Sequence, residues 1–375
     1  MALTSRERLL RVLRHERTDR LPIVPTSIHP WHWCLEFDDY HPIVEVAKKH
    51  CDFFVSIGGN TGFLYGDPTT CERRSERRNL DDGIVETTTT IVTPKGDLTS
   101  VRRRMPDSGN WRMKAFVENE DDLDRLLSIP YRPFEPDLSG FFATREKIGD
   151  AGLAYYNGFS SPVTALGGMM SEDFRPVFFF TQPDRLRTIV ETLAERAATL
   201  LAHLLKAGAG PVFRWYAMEP FTEPMMPPSF TDEFIVPYDT DLIRMIHDAG
   251  CYAIHHCHGR LGAAIERMVR VGYDGVDCVE SPPANNVTLA EMFARAATAA
   301  GRDRPLFLWG YIQMDDLEHK SGDQIERQVA EAIEVGGTDG RYVLGQAASP
   351  YMAHVPPQMQ ANWIRMIEVG ARLGR

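Results

Sequence analysis

The sequence predicts an α/β fold and, within that class, a TIM (β/α)8 barrel. From about residue 184 onward, short apolar runs alternate with longer segments of helical spacing in five consecutive units. Such alternation indicates a parallel sheet, because each helix carries the chain back to the edge where the next strand begins. Three earlier apolar runs bring the strands to about eight, the number that closes a barrel, although a doubly wound open sheet would suit the five units equally well.

The amino-terminal third begins with a helix and also contains a β-rich segment. Thr4 and Glu7 have the spacing of a capping box, which predicts a helix that ends before Asp19-Arg20-Leu21-Pro22. The runs 83–92 and 97–101 are rich in β-branched residues and are joined by a Pro-Lys-Gly turn. We therefore expect a β-hairpin inserted into the barrel in this part of the chain.

The other elements follow one another without a long linker, a low-complexity tract or an internal repeat. The predicted strands are 22–25, 52–56, 152–157, 212–217, 252–256, 275–279, 305–309 and 341–345. The predicted helices after residue 180 are 184–206, 230–249, 260–271, 288–300 and 322–335, with a last helix after Pro356-Pro357. Because no boundary is visible, we expect one domain over residues 1–375.

Composition excludes several classes of protein. A formal net charge of −11 offers no basic stripe to nucleic acid, and no segment approaches the ~18 apolar residues of a membrane span. The amino terminus is charged where a signal peptide needs an apolar core, so we expect a soluble, cytoplasmic protein. The six cysteines form no Cys-x-x-Cys pair, which is typical of reduced, mostly buried thiols.

The residues that follow the predicted strands contain a candidate zinc site. In a parallel barrel the active site is built at the carboxyl ends of the strands. His256 and His258 are two residues apart at one such end, so that an extended backbone points both imidazoles to one side, and Gly259 permits a tight turn. Glu280 ends the next strand, only ~5 Å away in a parallel sheet. Three protein ligands with an open fourth position are typical of catalytic zinc.

Other interpretations of these residues stay open. A single histidine near a strand end is more often a satisfied polar group than a ligand, and Glu280 would also suit a loop cap. Cys278 is in phase with Glu280 and is an alternative ligand, as is His354 at the same end of the barrel. His255, alternate in phase, is expected to face the other side.

Two further groups are expected around the same mouth. Glu219 and Glu223 lie in a loop rich in proline and methionine, where carboxylates beside apolar side chains suit proton transfer. Four aromatic residues follow the first strand and are candidate substrate or cofactor contacts: His29, Trp31, His32 and Trp33. An ordinary surface loop and ordinary packing are the alternatives for these two groups.

The chain resembles a known family over nearly its whole length. The resemblance lies in Ser5-Arg6-Glu7-Arg8 with Asp19-Arg20-Leu21-Pro22, in 158–164, in His256-Cys257-His258-Gly259 and in the close from Asn362 to Gly374. These segments resemble the uroporphyrinogen decarboxylase superfamily, whose Gly-Phe-x-x-Pro-x-Thr stretch is similar to 158–164. The resemblance implies a TIM barrel that is either a metal-free decarboxylase or a zinc methyltransferase working with a corrinoid protein.

The resemblance favours the methyltransferase branch, with two departures. Family decarboxylases carry an arginine-rich strand end near the amino terminus, whereas 25–33 contains no arginine here. The methyltransferases have a His-x-Cys pair and a later Cys. In this chain His256-x-His258 replaces the pair, and Ala347-Ala348-Ser349 occupies the area of the later Cys. The spacing from His258 to Glu280 is similar to that in the related cobalamin-independent methionine synthase barrel, which implies Glu280 as a ligand.

We therefore expect a zinc-dependent methyltransferase that moves a methyl group between a small O- or N-methylated substrate and a corrinoid protein. Fewer thiolates leave a harder zinc, better matched to oxygen or nitrogen than to a thiol. The corrinoid must arrive on the partner, because no Asp-x-His-x-x-Gly pattern occurs here. The alternatives are a zinc-dependent lyase or decarboxylase of a small carboxylate and a non-catalytic tetrapyrrole- or corrinoid-binding barrel. The sequence is also compatible with a homodimer.

Overall fold

The computed structural model describes residues 2–106, 109–216, 218–299, 306–337 and 339–375. Its strands are β1 (Phe54–Gly58), β2 (Arg73–Asn79), β3 (Val85–Ile91), β4 (Leu98–Arg104), β5 (Asn110–Lys114), β6 (Leu153–Ser160), β7 (Val212–Tyr216), β8 (Tyr252–His256), β9 (Gly275–Val279), β10 (Phe307–Ile312) and β11 (Tyr342–Gln346). Its helices are α1 (Ser5–Leu13), α2 (His41–His50), α3 (Glu120–Leu127), α4 (Ser139–Ile148), α5 (Pro162–Gly167), α6 (Phe174–Thr181), α7 (Pro183–Lys206), α8 (Pro228–Phe234), α9 (Val236–Asp248), α10 (Ala264–Val271), α11 (Leu289–Thr298), α12 (Met314–His319), α13 (Gly322–Gly336) and α14 (Pro357–Leu373). None of the described helices is both long enough and apolar enough to cross a lipid bilayer.

Contacts divide the chain into two compact units. The first comprises Met1–Gly59, Asp137–Phe159 and Gly208–Arg375, and the second comprises Asn60–Pro136 and Ser160–Ala207. A compact unit is not by itself a domain that folds alone. One domain over residues 1–375 therefore stays a prediction.

A curled parallel sheet forms the centre of the first unit. Its strand order is β1-β6-β7-β8-β9-β10-β11. Ile23 forms a parallel bridge with Leu344 of β11, and its carbonyl oxygen accepts a hydrogen bond of 2.8 Å from the amide of Asp52, just before β1. The segment at Ile23 thus takes the eighth position, between β11 and β1. The predicted TIM barrel is confirmed.

The predicted elements agree with the structure except at particular ends. The segment 22–25 contributes a single bridge rather than a strand, and the predicted helix 230–249 is divided into α8 and α9. This division has a local cause, because Pro237 lies in the first turn of α9, lacks an amide hydrogen and disfavours helical backbone in the residue before it. Three predicted ends, Ala217, Ala300 and Pro305, lie outside the described residues.

The second unit contains an antiparallel sheet in the order β2-β3-β4-β5. The predicted hairpin is confirmed as β3 and β4, which pair from Val85 opposite Arg104 to Ile91 opposite Leu98. Strands β2 and β5 extend this hairpin on its two sides and were not predicted. Every residue of β2 is exposed, so its sequence lacks the apolar alternation by which a strand is identified.

Apolar side chains from most barrel strands fill the interior together with one face of α1. The capping box of Thr4 and Glu7 starts this helix as predicted, and its apolar stripe faces the core. The cluster comprises Leu9, Val12, Leu13, Val24, Phe54, Leu153, Tyr155, Val212, Ile254, Phe307, Trp309 and Val343. This interior is packed rather than hollow, which confines polar chemistry to the ends of the strands.

Four charged residues connect the amino ends of two neighbouring barrel strands. Arg8 donates to Asp19 Oδ1 at 2.7 Å and to Asp52 Oδ1 at 2.5 Å, while Arg20 contacts Asp52 Oδ2 at 3.0 Å. Burial alone would raise the pKa of Asp19, but Arg8 outweighs it and lowers this pKa to about 2. Residues at this end of a barrel serve stability rather than catalysis.

We predict that Asp19→Asn destabilises the fold at neutral pH by about 1 kcal/mol, after allowance for solvent screening. Because the pKa of Asp19 is lowered on folding, its carboxylate stabilises the protein above the ordinary pKa, and this contribution is lost as the pH falls from about 4 to about 2. The measurement is denaturant unfolding across this pH range, with Asp150→Asn, an exposed position, as the control. A difference between Asp19→Asn and wild type that does not change with pH would contradict the assignment.

Candidate metal centre

His256 and His258 lie at the carboxyl end of β8, as predicted. His256 is the last residue of the strand, and Gly259 has a φ of +82°, a backbone conformation that favours glycine. The chain therefore turns immediately after His258. The two imidazole rings lie edge to face, with centroids 4.8 Å apart.

Cys278 of β9 completes a compact group of atoms that could hold a metal ion, which we call the metal-binding group. One ligand atom from each of His256, His258 and Cys278 lies within 4.8 Å of the others. Cys278 is buried, and burial raises the pKa of its thiol well above the ordinary value, so the thiol is neutral in the absence of a cation. The donor set of two imidazoles and one thiol fits zinc.

Glu280 and Glu219 surround His258 without joining this compact group. Glu280 Oε2 accepts a hydrogen bond of 2.6 Å from the amide of Gly259, and its Oε1 lies 3.7 Å from Nδ1 of His258. Glu219 Oε1 accepts a hydrogen bond of 3.0 Å from the amide of His258. Burial alone would lower the pKa of His258, but the two carboxylates outweigh it and raise this pKa.

A buried ion pair lies directly against His256. Arg214 of β7 donates from Nε to Asp277 Oδ1 at 3.2 Å and from Nη2 to Oδ2, and Nη2 lies 2.7 Å from Nδ1 of His256. Asp277 Oδ1 lies 3.4 Å from the same Nδ1. Although burial alone would raise it, Arg214 and His256 hold the pKa of Asp277 well below its ordinary value. The nitrogen of His256 that these groups leave free is Nε2.

The sequence analysis did not identify Arg214 or Asp277. Each was read as part of a buried strand, in Val-Phe-Arg-Trp-Tyr and Gly-Val-Asp-Cys-Val. A charged residue inside such a run is itself a signal, because charges are almost never fully buried without a partner. A cation in one buried apolar run and an anion in another indicate such a pair.

His255 faces away from the metal-binding group, as its phase predicted. It is fully buried, its ring centroid lies 4.6 Å from that of Tyr273, and burial lowers its pKa to about 3. His255 is therefore a neutral core residue.

Glu223 and His354 do not contact the two histidines in the described structure. Glu223 is exposed and lines a small cleft with Thr222 and Arg267. The His354 side chain is 89% exposed, and its Nδ1 lies 3.3 Å from Asp39 Oδ2. Neither residue belongs to the group formed by His256, His258 and Cys278.

The predicted aromatic residues form a continuous chain of ring contacts after Ile23. The ring of His29 lies 5.8 Å from Trp31 and 5.3 Å from His32, and His32 lies 5.3 Å from Trp33. Burial lowers the pKa of His29 to about 3. These rings follow the segment at Ile23, which lies across the barrel from β8. They therefore lie at the same carboxyl end of the barrel as the two histidines.

Comparison with known proteins gives one family and one similar fold. The uroporphyrinogen decarboxylase (URO-D) family model matches residues 105–368. A methyltransferase from Methanosarcina mazei has a similar structure, with a TM-score of 0.59 and 15% identity over 99% of this chain and 98% of that chain. At this identity the likeness shows the fold alone. Comparison with curated proteins gives no significant match.

Two other barrels are more distant. D-psicose 3-epimerase from Clostridium cellulolyticum H10 has a TM-score of 0.34 and 10% identity, over 64% of this chain and 94% of that chain. A xylose isomerase-like TIM barrel protein from Mycobacterium smegmatis has a TM-score of 0.31 and 13% identity, over 64% of this chain and 80% of that chain. Neither TM-score supports an argument about this protein.

The family match spans well over half of the chain and includes β7, β8 and β9, whose ends carry the metal-binding group. It agrees with the barrel and with the resemblance in the sequence. The chain belongs to the uroporphyrinogen decarboxylase family.

Proposed function

We propose that this protein is a zinc-dependent methyltransferase that moves a methyl group between a small O- or N-methylated substrate and a corrinoid carried by a partner protein. The observation that carries the proposal is the convergence of His256, His258 and Cys278 within 4.8 Å at the carboxyl end of the barrel. Membership of a family that contains zinc methyltransferases supports it. The arginine-free segment 25–33 argues against uroporphyrinogen as substrate.

We assign the third protein ligand to Cys278 rather than to Glu280. The ligand atom of Cys278 lies within 4.8 Å of one from each histidine, whereas the carboxylate of Glu280 is engaged by the amide of Gly259 and by His258. Three protein ligands leave a fourth position for a substrate atom. Zinc held at this site would take Cys278 as a thiolate, because a metal-bound thiol loses its proton.

Residues around these ligands fix their orientation. Arg214 and Asp277 approach Nδ1 of His256 and hold its ring in place. Such partners of a ligating histidine set its ring orientation and its basicity. Glu280 has the corresponding role at His258, because its carboxylate connects that ring to the turn at Gly259.

The overall reaction breaks one bond and forms one bond to the methyl carbon. The bound zinc would supply Lewis acidity at the oxygen or nitrogen that carries the methyl group. A reduced corrinoid on the partner would supply the electron pair for the new bond to carbon, and the heteroatom would keep the pair of the broken bond and take a proton. Glu219, held at the amide of His258, is the carboxyl group we assign to that proton. We assign the His29–Trp33 ring chain to contacts with the substrate or the corrinoid.

The first prediction of the proposed function concerns metal content. Purified wild-type protein should contain about one zinc per chain, and His256→Ala and His258→Ala should each lower this to below about a tenth, since each removes one of three ligands. His354→Ala is the matched control, because this histidine is exposed and lies beside Asp39. Elemental analysis gives the zinc content, and thermal unfolding checks that the fold persists. Full zinc content in either ligand variant would refute the site.

The second prediction separates the two candidate third ligands. Cys278→Ser should reduce zinc affinity at least tenfold, because it removes the thiolate. Glu280→Gln should change zinc affinity less than Cys278→Ser, because in our assignment the carboxylate only holds His258. Competition with a chromophoric chelator measures both affinities. The reverse order of effects would return the third ligand to Glu280.

The third prediction concerns the activity itself. Wild-type protein mixed with cob(I)alamin and a set of methyl ethers and methylamines should form methylcobalamin from at least one donor. His258→Ala should lower the rate by at least about a hundredfold, in line with loss of Lewis-acid and positioning effects worth several kcal/mol. The absorbance change of the corrinoid measures the rate. A zinc-loaded protein that transfers no methyl group from any donor, but releases carbon dioxide from a small carboxylate, would favour the lyase instead.

A further inference from the structure

A polar cavity lies in the first unit, beside the segment that follows β9. Its volume is about 310 Å³, at the lower end of the range of roughly 300 to 1,000 Å³ that small-molecule sites occupy. The lining residues come from that segment, from the end of β10, from the residue after α12 and from α13. None of them belongs to the metal-binding group. The cavity therefore needs an explanation of its own.

Two buried polar atoms in the lining have no hydrogen-bond partner among the described residues. Ser281 is 5% exposed, and its Oγ has no partner, although its carbonyl oxygen accepts a hydrogen bond of 3.2 Å from Gln313 Nε2. Gln328 donates from Nε2 to Asp316 Oδ2 at 2.7 Å, whereas its Oε1 is buried and has no partner. Because buried polar atoms are nearly always satisfied, these two indicate a polar group that the chain itself does not supply.

Strand β10 departs from regular geometry where it reaches the cavity. Phe307 and Trp309 pack in the barrel interior, but the pairing of β10 with β9 shifts register after Trp309, and Tyr311 has a φ of +96°. This backbone conformation is strained for an aromatic residue. A bulge redirects the side chains that follow it, and Tyr311 here lines the cavity together with residues of α13. Strain of this kind is typical of ligand sites.

The lining contains two charged side chains that have no ion pair in the described part of the chain. Lys320 is not one of them, because its Nζ lies 2.9 Å from Asp316 Oδ1. Arg327 and Glu331 are exposed and lie one turn apart on α13, yet they form no ion pair with each other. The cavity thus presents one unpaired cation and one unpaired anion on its solvent side.

The hydroxyl of Tyr311 adds no charge to the cavity. Burial raises the pKa of Tyr311, and the carboxylates of Glu331 and Glu291 raise it further, so the phenol stays protonated at neutral pH. Glu291 is itself engaged, since it accepts a hydrogen bond of 2.7 Å from the amide of Thr288 in the capping box of α11. The carboxylate of Glu331 is therefore the one available to a ligand in this lining.

Along α13 the lining residues change from hydrogen-bond donors to acceptors. Gln324 Oε1 accepts a hydrogen bond of 2.8 Å from the amide of Ser321, which leaves Nε2 as a donor, and Arg327 is a donor three residues later. Gln328 presents Oε1 and Glu331 presents its carboxylate, again three residues apart on the helix surface. A small molecule with an anionic group beside a cationic group matches this order.

We propose that this cavity binds a free α-amino acid. The carboxylate of the amino acid binds Arg327 and Nε2 of Gln324, and its ammonium group donates to Glu331 and to Oε1 of Gln328. The Ser281 hydroxyl, which donates or accepts, completes the polar contacts. The proposal goes beyond methyl transfer and does not depend on zinc, because no residue of the cavity is a metal ligand.

The side chain of the amino acid is apolar or aromatic. Pro282 and the ring of Tyr311 supply the apolar part of the lining, so the side chain lies against them. A simple anion fits less well, because it would lie beside Glu331 and leave Oε1 of Gln328 without a donor. A simple amine would leave Arg327 without an anion. Only a zwitterion satisfies both ends.

The experiment titrates the full-length protein with L-phenylalanine and L-leucine in a calorimeter. At least one of them should bind at one site per chain. Phenylpropionate lacks the ammonium group and phenylethylamine lacks the carboxylate, and each should bind at least about tenfold more weakly than L-phenylalanine, since each loses charged hydrogen bonds. No binding of either amino acid, as expected if water alone fills the cavity, would overturn the proposal. So would phenylpropionate that binds as tightly as L-phenylalanine.

Two variants locate the bound amino acid in the cavity. Arg327→Gln should weaken binding at least about tenfold, whereas Arg17→Gln, which removes the same charge at an exposed position outside the cavity, should not. Ser281→Ala should weaken binding about threefold or more without lowering the melting temperature of the free protein, because the hydroxyl has no partner in the described chain. Unchanged binding in Arg327→Gln would contradict the site, as would a free Ser281→Ala protein that is less stable than wild type.

A third variant separates this cavity from the metal centre. His256→Ala should bind the amino acid as wild type does, even though it is expected to lose zinc. Failure of the proposed function would leave this result unchanged. Loss of amino-acid binding in His256→Ala would place the ligand at the metal centre and overturn the proposal.

Discussion

The closure of the parallel barrel is the constraint on which the candidate site depends. Each helix returns the chain to the amino edge of the sheet, so every strand delivers its last residues to the same rim. The hydrogen bonds of Ile23 to the segments around Leu344 and Asp52 close the sheet into a ring. His256, His258 and Cys278, which are separated along the chain by a helix, meet because β8 and β9 are adjacent in this ring.

The buried pair of Arg214 and Asp277 is costly in isolation and is tolerated because its groups are satisfied. Removing an ion from water costs several kcal/mol, which the attraction between the partners offsets only with good geometry and further hydrogen bonds. Here Arg214 forms two hydrogen bonds to Asp277, and its guanidinium lies 5.0 Å from the ring centre of Tyr216. The pair thus lies directly against His256 and fixes the position of its ring through contacts to Nδ1.

The sequence was sufficient to predict the barrel, the hairpin and the convergence of two histidines, because each depends on local pattern. Apolar runs identify strands, and the two-residue spacing of His256 and His258 places both rings on one side. Strand β2 was not predicted, because its stability comes from pairing with β3 rather than from an apolar face. Arg214 and Asp277 were not identified as site residues, because each has its partner on another strand. Spacing along a single strand does not show such a partner.

The pattern of a single strand cannot decide between Cys278 and Glu280 as the third ligand. The two residues share a phase on β9, so alternation treats them equally, and only their neighbours distinguish them. The amide of Gly259, exposed by the turn, donates to the carboxylate of Glu280. Cys278, two residues earlier on β9, has no comparable donor at its sulfur among the described residues.

The distinction has a chemical consequence. One thiolate with two imidazoles leaves a bound zinc ion with a net positive charge, whereas a second thiolate would cancel it. A more positive site polarises oxygen and nitrogen more strongly, and it is less suited to activating a thiol. Under the proposed function, His256-x-His258 in place of the His-x-Cys of the similar methyltransferases, with a single thiol at Cys278, would favour substrates in which the methyl group is bonded to oxygen or nitrogen.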